Sequence, residues 1–223
     1  MRMHKKGHLE ERLAACGDIL TMADLCQKNM KLAAQVKQYL PLGEIFGNDN
    51  EVHLEIGCGK GAFVAEMAKL HPDVNFVAVE KISNVMIEAC EAAIALGLKN
   101  VHFLNCAAEV LPAYFKSGSV SRIYLNFSNP LPKLGYVKQR LTNPRFIEIY
   151  RDILVKGGEI WQKTDDEAFF DYSLQSYKEC GLEIVSVCRD LAAHPFEGNV
   201  LTEHEKRFMA EGKKIFRAVV KNI

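Results

Sequence analysis

The chain predicts an α/β fold: a mostly parallel sheet that closes with an antiparallel pair. From about residue 52, short β-rich apolar runs alternate with longer segments of helical period, the pattern of strands joined by crossover helices. A glycine-rich segment joins the first such strand to the first such helix. The last two apolar runs, Leu182 to Cys188 and Lys214 to Val220, are separated by a segment containing Pro, Gly and Asn with little room for a crossover helix, so they are expected to pair antiparallel.

Strands are expected near 52–56, 75–80, 101–105, 120–127 and 158–164, which with the closing pair makes seven. Ala62 to Leu70, Ile82 to Leu96 and Pro144 to Leu154 carry apolar residues three and four apart, as core-facing helices do. In the third, Asn143 suits the N-cap and Pro144 the first turn, with Phe146, Ile149, Tyr150 and Ile153 on one face. Gly157-Gly158 is expected to break that helix before the next strand, and Gly181 to stop a further helix from about Glu167 to Cys180. There are no repeats, and the division expected is an N-terminal extension over 1–45 followed by one domain over 46–223.

The composition, 48% hydrophobic and 25% charged, is that of an ordinary globular protein. Twenty-eight basic residues balance 28 acidic ones, which argues against a general polyanion binder and directs attention to local charge. The seven cysteines form no Cys-x-x-Cys pair and no zinc-type spacing, so no metal is expected and reduced thiols in a cytoplasmic protein fit best. The basic start has no apolar run behind it, and nothing approaches the ~20 apolar residues of a membrane span.

The chemistry begins at His53-Leu54-Glu55-Ile56-Gly57-Cys58-Gly59-Lys60-Gly61. Gly57, Gly59 and Ala62 satisfy the loose glycine pattern of a dinucleotide turn, which alone would also suit a nicotinamide oxidoreductase. Glu55 and Gly61 narrow the choice. A carboxylate just before the turn repels a pyrophosphate but favours the ammonium and sulfonium charges of S-adenosylmethionine. Glu80, at the end of the second strand, suits the ribose hydroxyls; its other reading is a favourable charge at a helix start. The third strand ends without an acid, so Asn105, or the backbone through Cys106 and Ala107, is expected to serve the adenine. Together with the closing antiparallel pair, this resembles the class I S-adenosylmethionine-dependent methyltransferase fold, which is Rossmann-like.

Charge segregates after the fourth strand. Between Val110 and Ile147 there is no Asp or Glu, while Lys116, Arg122, Lys133, Lys138, Arg140 and Arg145 are basic. Because ligands of open α/β sheets sit beyond the carboxyl ends of the strands, the loop from Ser128 to Asn143 is expected to overhang the reaction centre and attract phosphates. A solvated loop with surplus lysines is the plainer alternative.

Asn126-Phe127-Ser128-Asn129-Pro130-Leu131-Pro132-Lys133, followed by Lys138-Gln139-Arg140-Leu141-Thr142, resembles the signature of the bacterial tRNA (guanine-N7-)-methyltransferases, usually N-F-S-D-P-W-P-K and K-x-R-L-T. Lys163-Thr164-Asp165, Glu197-Gly198-Asn199 and Thr202-Glu203-His204-Glu205 match further motifs in order. The resemblance implies methyl transfer from S-adenosylmethionine to N7 of a guanine in the tRNA variable loop, usually position 46. It places cofactor contacts at Glu55, Glu80, Asn105 to Ala107 and Asn129. It places tRNA contacts at Lys133, Asp165 and Thr202 to Glu205, beside the basic Lys138 and Arg140. Asn129 stands where the family has Asp, Leu131 where it has Trp and His204 where it has Tyr. Asn129 and Asp165 are the catalytic candidates, and a slower enzyme, or one leaning on Asp165 and Glu205, is expected. Thr202-x-x-Glu205 is also a capping box, and Thr164 or Asp165 also a helix cap. Two alternatives stay open: a tRNA-binding paralogue with weak or no catalysis, and an enzyme like the N-P-P-Y methyltransferases acting on an amino or amide nitrogen. The assembly is expected to be a monomer or homodimer.

Overall fold

The structure, a computed structural model, describes residues 6–23 and 35–223. In chain order the elements are α1 (Leu9–Ala15), β1 (Leu20–Met22), α2 (Leu42–Phe46), β2 (Val52–Ile56), α3 (Ala62–Leu70), β3 (Asn75–Val79), α4 (Ser83–Ala95), β4 (Val101–Asn105), α5 (Leu111–Tyr114) and β5 (Val120–Asn126). They continue with α6 (Pro144–Ile153), β6 (Leu154–Thr164), α7 (Glu167–Glu179), β7 (Glu183–Cys188), α8 (Glu203–Ala210) and β8 (Phe216–Lys221). The sheet runs β1-β4-β3-β2-β5-β6-β8-β7, parallel as far as β6, with β8 antiparallel to both β6 and β7.

Alternation of side chains assigns the core to two layers. In β3, Val77 and Val79 join Leu54, Phe146 and Tyr150 on the α6 face, while Phe76 and Ala78 join Phe63, Met86 and Phe103 on the α3–α4 face. Every residue of β2 and β3 is buried, as expected of parallel strands covered on both sides. Asn143 caps α6 by accepting from the Arg145 N–H, with Pro144 in the first turn.

Two elements differ from the sequence reading. The sheet has eight strands because β1 adds itself to the edge beside β4, its Thr21 hydroxyl 2.9 Å from His102 Nε2. The 6–23 part of the extension is therefore joined to the sheet, and Arg12 grips Glu91 of α4 with two bonds of 2.7 Å. Secondly, Gly157-Gly158 does not separate α6 from the strand: β6 starts at Leu154 and the glycines lie inside it. Val120 still pairs with Leu154 before the register slips, and the Gly157 N–H, at φ 80°, donates to the Asn222 carbonyl, so the strand tolerates the irregularity. Among the described residues no helix is long and apolar enough to cross a membrane.

Candidate functional site

Strand order reverses at β2, which lies between β3 and β5, and the crevice opens beyond the carboxyl ends of these strands. Gly57, Gly59 and Gly61 all have positive φ there, at 83°, 57° and 77°. Gly61 is also constrained by packing, because a Cβ on it would lie 2.6 Å from the Ala89 Cβ on α4. Glu80 locks the turn from the neighbouring strand end: one oxygen accepts from the Gly59 N–H at 3.3 Å and the other from the Ile82 N–H at 2.9 Å.

Glu55 faces the same crevice and is 3% exposed. Its Oε1 accepts from the Asn126 amide at 3.0 Å, whereas Oε2 is buried with no hydrogen-bond partner. Burial pushes the carboxyl up to about 7, against the opposing pull of the Asn126 amide, the Lys163 charge and the Val64 backbone N–H.

Two cavities meet at Gly57, Asn126 and Phe127. The larger, about 420 Å³, is bounded by Ile56, Val79, Glu80, Cys106, Leu141 and Phe146, with Ser128 and the exposed Asn129 also on its wall. The Ser128 hydroxyl is buried without a partner. The smaller, about 280 Å³, takes Glu55, Gly59, Lys60, Thr202, Glu203 and His204. Phe127, with φ at 50°, stands between them and stacks on the His204 ring at 5.5 Å.

Several expected contacts are placed otherwise. Asn105 does not line the cavity: its amide donates to the Glu80 carbonyl at 2.7 Å and holds two strand ends together, while Cys106 and Ala107 do line it. Glu205 is fully buried, and its carboxylate accepts from Lys163 Nζ at 3.0 and 3.1 Å, the Thr202 N–H at 2.9 Å and the Asn199 amide. Thr202 and Glu205 form the capping box of α8, and Thr202 also lines the smaller cavity. Arg140 turns inward, donating to the Leu131 carbonyl at 3.3 Å and stacking over Tyr172 at 4.4 Å.

Asp165 is partly exposed and lies on the wall of neither cavity; the cap of α7 is Asp166 rather than Thr164 or Asp165. Asn129 is at the cavity mouth, its side-chain oxygen accepting from the Leu131 N–H at 3.1 Å. Lys133 and Lys138 are exposed with no ion pair among the described residues, whereas Arg145 is bound to Glu109 at 2.8 Å. Asn126 was missed by the sequence reading. Its position at the end of the strand adjoining β2 is the signal that points to it.

Residues 49–218 match a family model described as "Putative methyltransferase". The chain is 47% identical over 178 residues to the tRNA (guanine-N(7)-)-methyltransferase of Geobacillus sp. (strain WCH70), covering 80% of this chain and 81% of that protein. To the enzyme of the same name from Listeria monocytogenes it is 43% identical, covering 80% and 83%. Two solved structures share the fold: the 16S rRNA methyltransferase KamB, with a TM-score of 0.62 at 15% identity over 83% of this chain and 94% of that one, and an antibiotic-related methyltransferase, with 0.60 at 21% over 80% and 91%.

Proposed function

Because the chain belongs to the tRNA (guanine-N7-)-methyltransferase family, we propose that it transfers a methyl group from S-adenosylmethionine to N7 of a guanine in tRNA, at position 46 of the variable loop, in the cytoplasm. The observation that carries the reading is the partnerless buried Oε2 of Glu55 beside the glycine turn. It suits the donor's ammonium group and would repel a diphosphate.

Glu55 holds the amino-acid end of the donor, Glu80 the ribose, and the apolar wall of Ile56, Val79, Cys106 and Phe146 the adenine, with Ala107 and Asn129 at its edge. When bound, S-adenosylmethionine supplies an electrophilic methyl group on a sulfonium leaving group. N7 of guanine has a lone pair and no proton, so this chain needs no general base and its task is alignment. Phe127 and His204 give the purine an aromatic wall, and Glu203, lining the same cavity, offers negative charge to the purine as it becomes cationic. Lys133 and Lys138 gather tRNA phosphates, and Asp165 at the end of β6 approaches from the substrate side. The family match favours this reading over the noncatalytic paralogue, the amino-nitrogen enzyme and the oxidoreductase.

The test is to incubate the protein with unmodified tRNA and labelled S-adenosylmethionine, then cleave with borohydride and aniline. Cleavage at the variable-loop guanine is expected. Incorporation without cleavage there would reject N7 chemistry at that position.

A further inference from the structure

A third cavity, about 220 Å³, lies under residues 196–200 and shares Phe63 and Asn126 with the Glu55 cavity. Strand register builds it. Arg122 and Tyr124 are two apart on β5 and so face the same side; Tyr124 is opposite Trp161 on β6, and Arg217 of β8 is opposite Lys163. Phe196 covers the group from the loop, its ring 6.0 Å from Trp161.

The two arginines are stacked but not satisfied. Their guanidinium groups lie 4.5 and 4.6 Å from the Trp161 ring centre, and that of Arg217 is also 4.1 Å from Phe196. Stacking engages the flat faces and leaves the in-plane N–H donors to be met by an acceptor. Arg122 spends one nitrogen on Glu159 at 3.2 Å, an oxygen that also accepts from the Trp161 N–H. Arg217 has no ion pair among the described residues, and the Nε of each arginine is buried without a hydrogen-bond partner. Burial lowers the Arg217 pKa from its ordinary value, against the weaker opposing pull of Cys188 and Glu159 and with Arg122 adding to the shift. Lys163 is already committed to Glu205 and Asn199, and Glu197 is at the exposed rim.

We propose that this cavity is a phosphate site distinct from the methyl-transfer cavity, in which the edges of Arg217 and Arg122 bind one phosphate group while Trp161 and Phe196 fix the guanidinium planes. Two guanidinium edges, of which only that of Arg122 has an ion pair among the described residues, suit a phosphate oxyanion, with the exposed Glu197 carboxylate at the rim opposing it. The phosphate is either a phosphodiester of the tRNA, entering beside the Glu55 cavity, or free phosphate.

Trp161 is the chain's single tryptophan, so its fluorescence reports directly on the cavity. Titrating the full chain with sodium phosphate, against sodium chloride at equal ionic strength, is expected to give a saturable change that is lost in Arg217→Gln and weakened in Arg122→Gln. No saturable change in the unsubstituted protein would overturn the proposal. So would an equal response from Arg217→Gln with an unchanged melting profile. The second arm rests on the proposed tRNA substrate, whereas the phosphate titration does not, so their failures are distinguishable. If the phosphate belongs to tRNA, Arg217→Gln lowers tRNA affinity about tenfold and reduces the salt slope by about one, with turnover at saturating tRNA unchanged. If free phosphate is the occupant, tRNA affinity stays the same while the phosphate response disappears.

Discussion

The glycine turn at Gly57–Gly61 and the Lys163–Glu205 pair both frame the site, yet one is held by backbone shape and the other by a buried charge pair. The turn works through three left-handed glycines and one close approach to α4, so its geometry is written into adjacent residues. The pair joins β6 to α8 across 42 positions, with Lys163 5% exposed and Glu205 not exposed at all. Burial lowers the Lys163 pKa, and the Glu205 charge opposes that shift. A local motif thus constrains the donor side, while a long-range ion pair positions the segment that carries Glu203 and His204.

This contrast predicts different failures. The largest effect is expected from Glu205→Ala, which leaves Lys163 charged and buried and removes the α8 capping box; it should cost about 3–5 kcal/mol, read by denaturant unfolding. A loss under 1 kcal/mol would show that water readily replaces the carboxylate. Gly61→Ala forces a Cβ into Ala89 at an unfavourable φ, and a loss of about 2 kcal/mol with weakened donor binding is expected from melting and calorimetry. Unchanged melting and donor affinity would break the argument that the turn depends on backbone shape.

How legible each region was follows from the same difference. Glu55, Glu80 and the glycines could be read because strand, turn and charge lie within a few residues of one another. The Asn126 bond to Glu55 spans 71 positions and appears only once β5 lies beside β2. Thr202 and Glu205 were readable as a cap, but nothing local shows that the same carboxylate receives Lys163 from 42 positions away. Asn105 misled in the opposite sense: it stands at a strand end, yet its amide meets the Glu80 carbonyl. The three-residue β1 carries too little pattern to be read at all.

The basic loop was overcounted for the same reason, since Arg140 and Arg145 find partners within the fold while Lys133 and Lys138 do not. Replacing Lys133 or Lys138 by Ala should weaken tRNA binding and lower the salt slope by about one each, measured by fluorescence anisotropy across salt concentrations. An unchanged slope would assign them to solvent. The smallest change is expected from Asn129→Asp: the Leu131 N–H keeps its acceptor, so single-turnover methylation should be preserved or raised. A large loss would give the amide a role of its own.

The most direct measurement is the affinity for S-adenosylmethionine against pH, by calorimetry, in the unsubstituted protein and in Glu55→Gln. A carboxyl raised to about 7 is ionised above that pH, and binding an ammonium there lowers its pKa, so affinity should be highest above about 7 and fall as the pH drops below it. Glu55→Gln should bind at least tenfold more weakly at pH 8 and lose this dependence. An affinity flat through pH 7, or an unimpaired Glu55→Gln variant, would contradict the assignment of Glu55 to the donor.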